Sequence, residues 1–185
     1  MAREVERQTM ELLRQRKFKE ASMAVAAYEG KQSTGRGMGV DWEHHDCTRD
    51  VDALKVIFGR TPKILGKLDE GQLGPLRIAA GMAHLWGTNQ FEEWLPPGFE
   101  SGLKMDNDTA ARMILMMGIH KATIAGYRRE GLREVEILGT SDSCEACVRL
   151  ASQHYTLDEV PELPYEHCTS EMGCRCCFAP VISRG

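Results

Sequence analysis

Along most of this chain the hydrophobic residues recur with the period of an α-helix. In VERQTMELLRQR, Val5, Leu12 and Leu13 fall near one face, with Thr9 between them and Met10 at its edge, the spacing of an amphipathic helix. Lys17 and Phe18 mark a corner, and the alanines of KEASMAVAAYEG permit close packing, so the first thirty residues predict a helical hairpin. There is one copy of it, which gives no support to a solenoid repeat. Further helices are predicted at about 49–58 and 74–87, before the Pro96-Pro97-Gly98 turn. The strongest pattern is DTAARMILMMGIHKATIAGYRR, a helix over about 108–129. Asn107 or Asp108 suits its N-cap, Arg128 and Arg129 its C-terminal dipole, and Gly131 its stop. Its apolar positions run more than halfway round, so it is expected in the middle of the fold.

The pattern changes after this helix. EVEIL alternates and carries β-branched residues, which predicts a strand at 134–138. A cysteine turn, a short helix near 146–153, a proline-punctuated loop and a closing strand around CRCCFAPVI follow. The fold class expected is mainly α with a small C-terminal α+β zinc-binding module. It divides into a helical N-terminal region, 1–104, and a long helix plus cysteine-rich module, 105–185. A chain of 185 residues buries most of its apolar surface unaided, so a staple would serve a local segment.

Charge sharpens this picture. Residues 141–185 hold seven acids and three bases, while the residues before them hold 20 of each. The tail therefore carries the whole net charge of −4, which disfavours a phosphate-binding finger there, since affinity for nucleic acid comes from Lys and Arg. MAREVERQTM is charged and lacks the apolar run of a secretory signal. MILMMGI, the longest apolar stretch, is too short to cross a bilayer. No membrane role is expected, and a cytoplasmic protein keeps its thiols reduced.

Two glycine-rich segments are false leads. Gly35, Gly37 and Gly39 do not make a dinucleotide fingerprint, and GRTPKILGK has neither the glycine spacing nor the Ser or Thr of a phosphate loop. DWEHHDC gathers Asp41, Glu43, His44, His45, Asp46 and Cys47, but adjacent histidines seldom reach one ion, and a solvated loop leading into the next helix accounts for it better. His84 and His154 read as structural. No serine stands in a nucleophile elbow.

The chemistry is concentrated in the cysteines. Six of the seven lie between Cys144 and Cys177. Cys144 and Cys147 form a C-x2-C turn after a strand, and Cys168, Cys174 and Cys176 follow. These five are the candidate ligands of a structural Zn2+, with His167 a sixth, because a closed tetrahedral site takes four thiolate or imidazole donors. The first choice is Cys144, Cys147, Cys168 and Cys174, with Cys176 the substitute. If 174–178 is extended, Cys174 and Cys176 face one way and Arg175 and Cys177 the other, which argues against Cys177. Reduced core cysteines and a redox pair at C-E-A-C are the competing accounts. The second lacks its βαβ setting, and Glu145 between the sulfurs disfavours a thiolate.

The order of long helix, strand, D-x-C-x-x-C, tyrosine, proline loop and C-R-C resembles the C-terminal part of the phage head morphogenesis proteins, the Mu F-like minor head family. The matching residues are Asp142, Cys144, Cys147, Tyr155, Pro164, Cys174, Arg175, Cys176 and Pro180, within about 105–185. The family has His-Pro shortly before C-R-C. Here CTSEMG separates His167 from Cys174, leaving open whether His167 or Cys168 takes that role. The resemblance implies a virion-associated, non-enzymatic assembly protein with protein partners such as portal or capsid components. Two alternatives come from other classes. One is a metal-dependent hydrolase or nuclease with an open zinc position. The other is a nucleic-acid-binding module using the basic residues from Lys121 to Arg133, with Tyr127, Arg128 and Arg129 at the helix end.

Overall fold

The described residues of the computed structural model, 2–31, 45–151 and 153–181, form six α-helices and one three-stranded antiparallel sheet. The helices are α1 (Ala2–Arg14), α2 (Phe18–Glu29), α3 (Thr48–Gly59), α4 (Glu70–Trp86), α5 (Asn107–Arg129) and α6 (Glu145–Ala151). The strands are β1 (Glu134–Leu138), β2 (His154–Thr156) and β3 (Cys177–Pro180). The protein is mainly α with a small α+β module at its C-terminus. Among the described residues no helix is long and apolar enough to cross a membrane.

Two helix starts differ from expectation. α4 begins four residues early, because Asp69 Oδ1 accepts the Gln72 N–H at 2.9 Å while Gln72 Oε1 accepts the Asp69 N–H at 3.1 Å. This capping box starts the helix ahead of Gly71, Gly74 and Pro75, all of which lie within it. α5 is capped by Asp106, whose Oδ1 accepts the Thr109 N–H at 2.6 Å. Asn107 instead pins the preceding loop, accepting from the Ser101 N–H at 3.0 Å and donating to the Phe99 carbonyl at 2.8 Å.

α5 is the central element. Ala110, Ala111, Met113, Ile114 and Met117 are fully buried, and the helix packs on α3 and α4. Gly118 sets the distance to α3, since a Cβ there would stand 2.7 Å from Ile57 Cγ1 and 3.1 Å from the Ala53 carbonyl oxygen. One apolar cluster runs from Leu13 in α1 through α3, α4 and α5 to Cys147, Cys174 and Cys176. The inner face of the cysteine segment is thus continuous with the helical core.

The sheet has the order β2-β1-β3. Val135 lies opposite Tyr155 and Pro180, and Ile137 opposite Phe178. The alternation read in EVEIL is realised: Val135 and Ile137 are buried, while Glu134 and Leu138 are exposed. β2, only three residues long, was not anticipated. β3 is shorter than the expected closing strand and starts at Cys177, so Cys174–Cys176 lead into the sheet.

Candidate metal centre

Three short structures bring the cysteines together. After β1, Ser143 Oγ accepts the Thr140 N–H at 2.8 Å and the Ser143 N–H reaches the Thr140 carbonyl at 3.0 Å, which turns the chain into α6. Cys144 stands before the first residue of α6 and Cys147 in its first turn. A second turn, closed by the Cys168 N–H on the Tyr165 carbonyl at 3.1 Å, presents Cys168. The third is the approach to β3, carrying Cys174 and Cys176.

The five sulfurs form two triads. Those of Cys144, Cys147 and Cys168 lie within 4.8 Å of one another, as do those of Cys147, Cys174 and Cys176. Cys147 belongs to both. All five cysteines named from the sequence are therefore gathered, but Cys174 groups with Cys147 and Cys176, apart from Cys144 and Cys168 of the first-choice set. Cys144 Sγ and Cys168 Sγ are 3.8 Å apart. With zinc–sulfur bonds of about 2.3 Å, the edge of a tetrahedral thiolate site is also about 3.8 Å. These groups are positioned to hold a metal ion.

The other candidates stand apart. Cys177 is exposed, in keeping with alternation along 174–178, whereas Cys174 and Cys176 are buried. His167 is exposed, edge-on to Tyr165 at 5.3 Å, and belongs to neither triad. Cys47 is at the start of α3.

Backbone amides prepare the sulfurs for charge. Burial pushes the Cys144 thiol up, but N–H groups of Thr169 and Cys147 outweigh it and bring Cys144 down to about 6. Cys174 falls to about 5 through the Cys176 thiol, against burial, with help from the Tyr165 and Cys176 amides. Cys168 is raised by burial despite the Ser170 amide. Cys147 is raised by burial and by the charge on Cys174. Cys176 is raised first by its hydrogen bond to Cys174, then by burial. Three of the five sulfurs thus face an amide two or three residues further on, an arrangement that stabilises thiolate. The metal-ion preference for deprotonated sulfur is served by the same contacts.

An outer set of residues fixes the cluster to the body. Arg175 Nη2 meets Asp142 Oδ2 at 2.6 Å, tying the C-R-C segment to the D-x-C turn. His120 of α5 is buried, donates to the Cys176 backbone carbonyl and packs edge-on to Phe178 at 5.2 Å. Burial holds it near 4, so it is neutral. Arg112 donates to the Met172 carbonyl. Gly173, at φ +66°, sits against Thr109 and Met113. None of these supports was named from the sequence as serving the site. Only the shared D-x-C and C-R-C motifs carried a hint, for Asp142 and Arg175.

The space among Cys144, Cys147 and Cys168 is about 10 Å³, about one water-sized probe sphere. That is the size of an ion.

Elsewhere, Asp41, Glu43 and His44 of DWEHHDC lie outside the described residues. His45, in the loop that leads into α3, joins a half-buried network. Asp50 Oδ2 accepts from Ser22 Oγ at 2.6 Å and lies 3.2 Å from His45 Nε2, while Oδ1 lies 3.2 Å from His84 Nε2. The His84 contact has ion-pair distance without hydrogen-bond alignment. The network ties α2, α3 and α4 together. Of the basic residues near the end of α5, Lys121 pairs with Glu162 at 2.9 Å and Arg128 with Asp158 at 3.0 Å. Compared with known proteins, the chain matches no family model, no curated protein and no solved structure.

Proposed function

We propose that the protein is a non-enzymatic structural or assembly component whose C-terminal segment is folded around a thiolate-bound Zn2+. The observation that carries this reading is the gathering of five sulfurs in two triads that share Cys147. Its donors are all cysteines, the 3.8 Å between Cys144 Sγ and Cys168 Sγ is the edge length of a zinc site, and the space among the sulfurs is ion-sized. A catalytic zinc takes three protein ligands and keeps a position open to substrate, whereas five sulfurs gather here, enough to fill all four positions, which supports the structural role over a hydrolase. The strands beside the cluster are short, three and four residues in β2 and β3, and a bound ion would add to the support the sheet draws from β1 and from packing on α5.

The assembly role rests on the resemblance to phage head morphogenesis proteins across Asp142, Cys144, Cys147, Cys174, Arg175 and Cys176. In this reading the zinc orders the tail, and the tail's outer surface docks on a portal or capsid protein. The test is co-sedimentation of the metal-loaded and the chelated protein with purified phage portal and capsid proteins. Association of the metal-loaded form alone supports the reading. Association of neither form with either partner, or turnover of a phosphodiester by the metal-loaded form, would overturn it.

A further inference from the structure

A cavity of about 410 Å³ opens on the helical body, between the end of α1, the end of α3 and the start of α4. It is far larger than the space among the thiols and lies within the range of small-molecule sites. Its walls are of two kinds. Trp94, Pro75, Phe58 and Ile78 supply flat apolar surface, and Arg14, Arg16 and Arg77 supply positive charge. The acid in the lining, Glu70, is already engaged, its Oε2 accepting from Arg77 Nη1 at 2.6 Å. Arg14 keeps only a long, exposed contact, Nη1 to Glu11 Oε2 at 3.5 Å, and Arg16 has no acid partner among the described residues.

One feature of these arginines lacks a structural reason. Arg77 is buried, with its side chain 8 % exposed, and Nη2 donates to Thr61 Oγ1 at 3.0 Å. Its Nε is also buried and has no acceptor, although buried donors are nearly always paired. Arg16 sits at the left-handed C-cap of α1, at φ +56°, where its N–H meets the Leu13 carbonyl at 3.0 Å and the Lys17 N–H meets the Leu12 carbonyl at 2.9 Å, closing the helix end. It makes no side-chain hydrogen bond or ion pair to the described residues. The same turn leaves the Arg16 side chain in the lining of the cavity.

We infer that this cavity binds a phosphate monoester carried on a flat aromatic group, of about the size of a nucleoside monophosphate. The aromatic part lies on Trp94 and the prolines, and the phosphate meets Arg14 and Arg16, whose two charges match a near-dianion. Guanidinium forks suit phosphate oxygens in a way that a lysine does not. This inference is independent of the metal reading.

The test is titration calorimetry of the full, metal-loaded chain with adenosine monophosphate, adenosine and inorganic phosphate. Saturable binding of the monophosphate is expected, at least about tenfold tighter than of either fragment, since each side of the cavity contributes. Arg16→Gly should weaken it by about tenfold or more while leaving Tm equal or higher, because glycine relieves the left-handed strain. Trp94→Ala should weaken the monophosphate but not inorganic phosphate. Absence of saturable binding through the millimolar range would overturn the inference. So would inorganic phosphate binding as tightly as the monophosphate, or affinity unchanged by Arg16→Gly.

Discussion

Gly173 immediately precedes Cys174 and presses on α5, so Gly173→Ala probes how the cysteine segment is seated. Two costs add. At φ +66° a Cβ strains the backbone, which costs about 1 kcal/mol. The new Cβ would stand 2.9 Å from Thr109 Cγ2, 2.9 Å from Met113 Cε and 3.0 Å from Met113 Sδ, well inside the ~3.5–4.0 Å of ordinary carbon contact. Overpacking of this kind costs about 1–3 kcal/mol. Met113 has a flexible end that can yield, but Thr109 is short and buried. The expected loss is about 2–4 kcal/mol, a fall in Tm of roughly 5–15 °C for a chain of this size. Gly131→Ala is the control, since Gly131 has φ +76° and nothing within 4 Å of an added Cβ. It should cost only the strain, about 1 kcal/mol. Thermal unfolding in metal-containing buffer measures both, and a chelator competition shows whether displacement of Cys174 loosens the ion. Thr109→Ser in the Gly173→Ala background removes the clashing methyl and should recover part of the loss. Equal shifts for Gly173→Ala and Gly131→Ala would refute the seating of the segment on α5.

Further outcomes follow from the cluster and from the Asp50 network. Cys147 belongs to both triads and Cys177 to neither, so Cys147→Ser should abolish tight metal binding while Cys177→Ser leaves stoichiometry and Tm unchanged; metal analysis after gel filtration distinguishes them. Burial pushes Asp50 up, but His84, Ser22 and His45 outweigh it and hold its carboxyl at about 2, below its ordinary 3.8. A lowered carboxyl contributes stability that is full above about pH 4 and is lost as pH falls through 2, here about 2 kcal/mol. Asp50→Asn should therefore be less stable than wild type by about that amount at pH 6, with the gap closing towards pH 2. The comparison by denaturant titration cancels any acid loss of metal common to both proteins. A gap that does not narrow with acid would remove the network from the account.

Much of this architecture was legible because it is local. The period of α1, α2 and α5 and the alternation of Val135 and Ile137 follow from which face is buried. The opposite facing of Cys176 and Cys177 follows from an extended chain. What escaped was set by distance or by competing local signals. Gly71, Gly74 and Pro75 obscured the start of α4, although D-E-G-Q held the capping box. β2 has no pattern of its own and exists through pairing with β1. Asp50 meets Ser22 and His84 across 28 and 34 positions, which no window could join. At the centre itself, spacing named the five sulfurs. It did not give the sharing of Cys147, the amides directed at Cys144 and Cys174, or the anchoring of Cys176 by His120, since these depend on how turns fold in three dimensions.

The central claim is that one metal ion holds the cysteine segment together. Metal analysis of the full chain, purified without a metal-affinity step, tests it most directly when paired with thiol titration before and after chelation. The account predicts close to one zinc per chain, with cluster thiols shielded until the chelator is added and then released together with protease sensitivity of the tail. Metal-free protein whose thiols titrate freely from the start, with a tail that stays protease-resistant, would contradict it.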